Sequence, residues 1–191
     1  MANTTGHLKI IVTESILLKQ IELSDAADIF KTIDGQRTYL GKWLPFVDFT
    51  RNIEDSEKYI QSVLEGPSEN RGYIFAIHCH GTFAGLVGLK SIDNQNKKAE
   101  IGYWLSEPFQ KQGIITASVK ALMQFAYDQL NINRIQIKCA VGNIPSKNIP
   151  IKLGYRFEGI ERAGELLSDG EFADIEVYSI LKDEYVVCIA H

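Results

Sequence analysis

The sequence predicts an α+β (mixed α/β) protein with a central, mostly antiparallel sheet of about seven strands flanked by helices. Three observations carry this. Short apolar or alternating runs bounded by turn residues recur along the chain, two of them joined by a His80-Gly81 hairpin signal. A long amphipathic pattern over 114–130 separates strand-like runs at 98–105 and 134–141, the layout of a crossover between parallel strands. The order is a meander, then strand–helix–strand, then a terminal hairpin, which a purely alternating parallel sheet does not fit.

Each element has a local cause. Residues 16–23 (ILLKQIEL) read as a strand, and Ser24 and Asp25 offer a cap for an apolar-periodic helix over 25–34. The stretch 36–51 has no clean period and holds Tyr39, Trp43, Pro45, Phe46 and Phe49. Residues 53–65 read as a second amphipathic helix, stopped by Gly66-Pro67. Strands 73–79 and 82–92 flank the hairpin, and Asp93-Asn94 turns the chain into strand 98–105. There Ile101, Tyr103 and Leu105 alternate with Glu100, Gly102 and Trp104. The helix over 114–130 puts Ile115, Val119, Leu122, Ala126 and Leu130 on one face. Strand 134–141 leads to a short helix over 146–153, closed by Gly154. Strands 155–163 and 173–182 enclose a loop at 164–172.

The 191 residues fit one domain, 1–191, without repeat or linker. A composition of 45% hydrophobic and 23% charged residues is that of a globular protein. A net charge of -4 advertises no basic stripe, so nucleic acid is not an expected partner. No window approaches the roughly 18 apolar residues of a membrane span. The first ten residues lack the basic start and apolar core of a secretory signal, so a cytoplasmic location is expected. Cys79, Cys139 and Cys188 show neither a CxxC pair nor zinc spacing and read as reduced thiols. His78 and His80 share a strand face with no third ligand at sensible spacing, so no metal is expected.

The most informative segment is 107–116 (EPFQKQGIIT), where a strand ends and the long helix begins. Unpaired N–H groups and the positive end of the helix dipole meet there, a combination that receives a pyrophosphate. Gly113 lets the backbone approach a phosphate, and Gln110 and Lys111 add donors. The GxxxxGK[ST] and GxGxxG spacings are both absent. Ordinary turn chemistry also accounts for a glycine here, and the residues alone leave both readings open.

Gln110-Lys111-Gln112-Gly113-Ile114-Ile115 resembles the Q/R-x-x-G-x-G/A coenzyme-A signature of the GNAT N-acetyltransferases. AEIGYWL (99–105) resembles the strand before that signature and residues 133–159 the stretch after it. The similarity spans 14–182 and is to the Rim-type ribosomal-protein N-terminal acetyltransferases. It implies the GNAT fold, acetyl-CoA as cosubstrate without a metal, and acetyl transfer to a primary amine, foremost the N-terminal α-amino group of a ribosomal protein. Cofactor contacts are implied for Gln110 to Thr116 (Lys111, Gln112, Gly113, Ile114 and Ile115 between them), Asn143, Ser146 and Lys147. A homodimer, common in the superfamily, stays open. Two departures stand out. Ile115 replaces the signature's last small residue, and Pro150 stands seven residues after Asn143, where many members carry a tyrosine that protonates the departing thiolate.

Acyl transfer to an amine needs a neutral amine, a placed acyl carbon, an oxyanion donor and a proton for the thiolate. Positioning is worth about 7–11 kcal/mol and a general base roughly 10²–10⁴-fold, so holding the two substrates should dominate the rate. The oxyanion donor is expected to be a backbone N–H near Trp104 or Leu105, where the resemblance has the pantetheine arm lie beside the strand. Ser146, in Asn143-Ile144-Pro145-Ser146, is implied at the sulfur, while the same serine could cap the helix behind it. Glu165, nineteen residues later, is implied as general base. Glu100 is its rival, unless it pairs with Lys97 or Lys98. Trp43 and Phe46 are candidates for the acceptor wall or for core plugs, and Asp48, Glu161, Glu165 and Asp169 could hold a cationic acceptor. Two other functions fit the same residues: a transferase for a small amine (polyamine, amino sugar or antibiotic), and a non-catalytic acyl-CoA sensor.

Overall fold

A computed structural model describes residues 8–66 and 73–189; Pro67 and the side chain of Cys188 lie outside what is described. The strands are β1 (Lys9–Ile11), β2 (Ile16–Gln20), β3 (Tyr73–Cys79), β4 (Thr82–Asp93), β5 (Lys98–Leu105), β6 (Arg134–Ala140), β7 (Arg156–Leu166) and β8 (Phe172–Leu181). The helices are α1 (Ala26–Gly35), α2 (Arg37–Gly41), α3 (Ile53–Glu65), α4 (Ile114–Gln129), α5 (Ile144–Lys152) and α6 (Lys182–Ile189). The eight strands form one sheet in the order β1-β2-β3-β4-β5-β6-β8-β7. Only β5 and β6 pair in parallel, around the α4 crossover. The sheet thus has one strand more than expected, the short edge strand β1.

Two apolar layers cover the sheet. Ile29, Ile33, Leu40, Val47 and Ile60 from the α1–α3 side pack with Leu86 and Trp104 of the sheet. On the opposite face Val119, Leu122, Met123 and Ala126 of α4 pack with Val87, Ile101, Ile135 and Ile137. Alternation along β5 supplies both layers, Ile101 to one and Trp104 to the other. Removing a side chain such as Leu122, fully buried in this seam, should cost about 2–5 kcal/mol.

Several local expectations are corrected. Asp25 stands at the N-cap of α1, but its side chain makes no capping bond there; it ends a 3-10 turn, and its carboxylate accepts the Glu22 N–H at 2.9 Å. The aperiodic stretch after α1 folds into α2 and a 3-10 turn, Pro45–Asp48. The last strand ends at Leu181, and α6 follows without a break. The expected loop at 164–172 is mostly hairpin. Pairing resumes at Glu165↔Ala173 after Glu161↔Ile175, so four steps on β7 match two on β8. The two surplus residues form a bulge, with the Ala163 N–H held by Asp174 at 2.8 Å. Among the described residues no helix is long and apolar enough to cross a membrane.

Candidate active site

Pairing of β5 with β6 runs from Lys98↔Arg134 to Ile101↔Ile137 and then stops. Beyond it β5 stays bonded to β4 and β6 to β8, so the two strands diverge into a wedge. The Ser106 N–H donates to Ala84 O at 2.7 Å. Donors alternate along an antiparallel ladder, so the Trp104 N–H faces β4 while those of Tyr103 and Leu105 face the wedge. Of the two positions expected to supply a donor, only Leu105 is turned the right way. The Trp104 side chain is buried on the α1–α3 side.

The loop at the mouth of the wedge is a 3-10 turn, Glu107–Phe109, followed by Lys111 at φ 61° and Gly113 at φ 76°. Gly113 is the N-cap of α4, and no side chain caps that end. The Ala117 N–H bonds the Gly113 carbonyl, so the N–H groups of the first turn point outward, where an anion is stabilised. Ile114 and Ile115 are 2% and 7% exposed with their side chains in the core, so they can offer a ligand main chain only. Gln110 donates its amide to the Tyr39 hydroxyl, and Gln112 donates to Pro108 O at 3.0 Å. Both are tied to the protein, whereas Lys111 is exposed. Gln36, which the sequence reading passed over, and Tyr39, read there only as part of the aromatic stretch, organise this loop. Gln36 donates to Ser106 Oγ at 2.7 Å and accepts the Glu107 N–H at 2.8 Å. Tyr39 donates to Leu105 O at 3.3 Å. They lie some 70 positions upstream in an aperiodic stretch and leave no local signal.

The far wall is the start of α5. Asn143 is its N-cap, accepting the Ser146 N–H at 3.3 Å, so the cap is Asn143 and Ser146 stands in the first turn. The Tyr103 hydroxyl donates to Ser146 O at 3.0 Å, and Ser146 Oγ lies 3.4 Å from that same hydroxyl. Burial pushes the Tyr103 phenol far above its ordinary range, the Ser146 hydrogen bond only partly opposing it. Lys147 donates to Glu176 at 2.8 Å, and Tyr178 donates to the other carboxylate oxygen at 2.8 Å. Burial alone would raise the Glu176 carboxyl, but these two donors outweigh it and hold it below the usual value. Cys139 is buried on β6, and loss of hydration lifts its thiol to about 11, a poor nucleophile at neutral pH.

On the α1–α3 side, Arg37 donates to Val47 O at 2.9 Å, to Thr50 O at 2.7 Å and to Asp34 at 2.9 Å. That fork fixes the turn carrying Asp48 and Phe46, both exposed. Trp43 is half-buried, with the Lys42 ammonium 5.1 Å from its ring centre. Glu100 is 8% exposed and pairs with Lys90 at 2.5 Å, not with Lys97 or Lys98. Lys90 reaches it because it is the surplus residue in a bulge between Leu89↔Ile101 and Ser91↔Glu100. Gln136 donates to the other Glu100 oxygen at 2.9 Å. Glu165 is an exposed strand residue of β7. The Lys138 ammonium is held above its ordinary value first by its hydrogen bond to Glu161, against some loss of hydration, and then by the charges of Glu100, Glu161 and Glu165. Of these carboxylates Glu161 bonds Lys138 directly, at 2.8 Å. Asp169 instead accepts the Glu171 N–H within the β7–β8 turn. Among the described residues no group of His, Cys, Asp and Glu is placed to hold a metal.

Residues 15–156, most of the chain, match the family described as the acetyltransferase (GNAT) domain. The protein belongs to the GNAT acetyltransferases. It is 31% identical to the ribosomal-protein-serine acetyltransferase of Escherichia coli (strain K12), an alignment covering 90% of this chain and 96% of the relative. Among solved structures it is similar to RimL, the ribosomal L7/L12 alpha-N-protein acetyltransferase, in complex with coenzyme A as a cysteine disulfide. The TM-score is 0.85 at 27% identity, covering 93% of this chain and 99% of that one. It is also similar to the microcin C7 self-immunity acetyltransferase MccE in complex with acetyl-CoA and AMP. There the TM-score is 0.82 at 32% identity, covering 89% of this chain and 94% of that one.

As a GNAT enzyme the chain is an N-acetyltransferase with acetyl-CoA as cosubstrate. Its own residues suit that ligand: an open strand edge at Tyr103 and Leu105 for an extended amide-bearing arm, and a helix start with exposed N–H groups for a diphosphate. Across the wedge Tyr103 of β5 meets Ser146 of α5, which follows the Asn143 cap; Lys147 is tied to Glu176 of β8. The side chains of Trp104, Ile114 and Ile115 turn away from the wedge, and Glu100 is engaged elsewhere.

Proposed function

We propose that this protein transfers the acetyl group of acetyl-CoA to the N-terminal α-amino group of a protein, a ribosomal protein foremost, in the cytoplasm. The observation that carries the reading is the wedge between β5 and β6, with a main-chain donor on one lip and Ser146 on the other. The thioester carbonyl lies against the Leu105 N–H, which stabilises the oxyanion as the amine attacks. Glu165 takes the proton that the attacking nitrogen sheds. The C–S bond then breaks, its electron pair settles on sulfur, and the Ser146 hydroxyl hydrogen-bonds that sulfur. A protein acceptor is supported by the name of the Escherichia coli relative and by the RimL likeness. It also suits an acceptor face that exposes Phe46, Phe49 and the length of β7. A small-molecule acceptor is the second reading, favoured by the likeness to MccE, whose structure carries AMP.

The test is mass spectrometry of a panel incubated with acetyl-CoA: peptides bearing ribosomal-protein N-termini, polyamines, amino sugars and aminoacyl nucleotides, with free thiol followed in parallel. Acetylated peptide N-termini are expected. Acetylation confined to small amines would replace the protein acceptor, and tight coenzyme-A binding without thiol release on any amine would make the chain a sensor.

A further inference from the structure

The reaction above gives Tyr103 no task. Tyr103 lies on β5 beside the Leu105 donor, and its hydroxyl meets Ser146, 43 positions away, at both the carbonyl and the side-chain oxygen. The carbonyl contact has a cause in the sequence. In an α-helix the Ser146 carbonyl would accept the N–H of residue 150, and residue 150 is Pro150, which has none. The orphaned acceptor is satisfied from outside the helix, by the Tyr103 O–H at 3.0 Å. Because that proton is spent on the carbonyl, the phenol oxygen can only accept from the serine hydroxyl. Burial keeps the phenol protonated and so preserves this direction across the working pH range.

We infer that Tyr103 is the positioning residue for leaving-group departure: it pins the first turn of α5 and holds the Ser146 O–H aimed into the wedge until the coenzyme sulfur takes it over. This rests on the role proposed for Ser146. The atoms balance without charge on Tyr103. The C–S electron pair goes to sulfur, the Ser146 O–H turns from the phenol oxygen to that sulfur, and the proton shed by the amine supplies, through water, the hydrogen of the free thiol. The 3.4 Å separation between the hydroxyls suits a contact that is made and broken in each cycle, since such bonds tighten only when substrate is present.

Four variants test this with the full-length protein: Tyr103→Phe, Ser146→Ala, the two combined, and Tyr103→Phe with Pro150→Ala. Tyr103→Phe should lower kcat about tenfold with KM for acetyl-CoA within about twofold, the mark of an interaction made only in the transition state. The Tyr103→Phe/Ser146→Ala double variant should be no slower than Ser146→Ala alone, because two residues acting as a unit are not additive. Pro150→Ala returns an N–H to the Ser146 carbonyl, so in the Tyr103→Phe background it should restore the melting temperature but not kcat. Recovery of kcat along with stability would reduce Tyr103 to a structural pin and overturn the inference, as would full additivity in the double variant. If Ser146→Ala is as active as wild type, the serine's role falls and this inference with it, while acetyl transfer itself stands.

Discussion

Trp43 stands beside Gly142: a β-carbon placed on that glycine would meet Trp43 Cη2 at 3.7 Å, ordinary van der Waals contact. The indole from the segment after α2 thereby borders the turn between β6 and α5, directly before the Asn143 cap. On the proposed function it forms a lip where acceptor and acetyl group would meet. Trp43→Ala should raise the acceptor KM about tenfold or more while KM for acetyl-CoA stays within about twofold, loss of a large aromatic contact being worth a few kcal/mol at most. Initial rates against each substrate in turn decide this; a change confined to acetyl-CoA would put Trp43 on the cofactor side.

Arg37 makes three hydrogen bonds in a fork that an ammonium cannot reproduce. Arg37→Lys should therefore loosen the turn bearing Phe46, raising the acceptor KM several-fold and lowering the melting temperature by a few degrees, on the order of 1–2 kcal/mol. Calorimetric coenzyme-A affinity should not change.

Gly113 at φ 76° has no atom within 4 Å of where a β-carbon would stand, so Gly113→Ala is a pure test of backbone strain. The left-handed conformation costs a side-chain-bearing residue about 1–2 kcal/mol. Relaxing that strain would displace the N–H groups at the start of α4. Coenzyme-A affinity should fall about five- to twentyfold, measured by titration calorimetry. Gly170, at φ 84° in the β7–β8 turn, is the control: Gly170→Ala should cost similar stability and leave the affinity alone.

Glu165→Gln should reduce kcat/KM by roughly 10²-fold or more. The deficit should grow toward acid pH, where the acceptor amine most needs help in shedding its proton. A rate–pH profile that runs parallel to wild type throughout would remove Glu165 from the reaction.

Glu158 reports on stability, not catalysis. Arg134 grips its carboxylate in a bidentate pair, with Ser179 adding a hydrogen bond at 2.8 Å. The Arg134 bonds come first in holding its carboxyl down, to about 2 against an ordinary 4.5. A pKa depressed by folding contributes stability that is present above 4.5 and lost as pH falls toward 2. The pair is about one-third exposed, so water screens it and Glu158→Gln should cost only about 0.5–1 kcal/mol at pH 7. In urea denaturation the gap between wild type and variant should be nearly the same at pH 7 and pH 5 and shrink by pH 3.

Where a few adjacent residues decide the outcome, the sequence was legible. The α3 pattern, the His80-Gly81 hairpin, the α4 stripe and the glycine at the head of α4 all appear where period and turn chemistry put them. The parallel pairing of β5 with β6 also follows from one long crossover helix. The stretch 36–51 was opaque because α2 is a single turn too short to show a period, and its Gln36 and Tyr39 act on a loop 70 positions away. Side-chain partners were opaque for the same reason. Glu100 meets Lys90 because a bulge in β4 brings that lysine alongside it, Glu165 sits in a strand because a second bulge keeps β7 paired, and Ser146 faces Tyr103 because two elements far apart in the chain converge. Local pattern is written in neighbouring residues, whereas register and convergence are settled only when distant segments pack and each buried polar group must find a partner. The sequence by itself determined the order of elements and the glycine-headed loop before α4; the tertiary structure alone decided which atoms stand across the wedge.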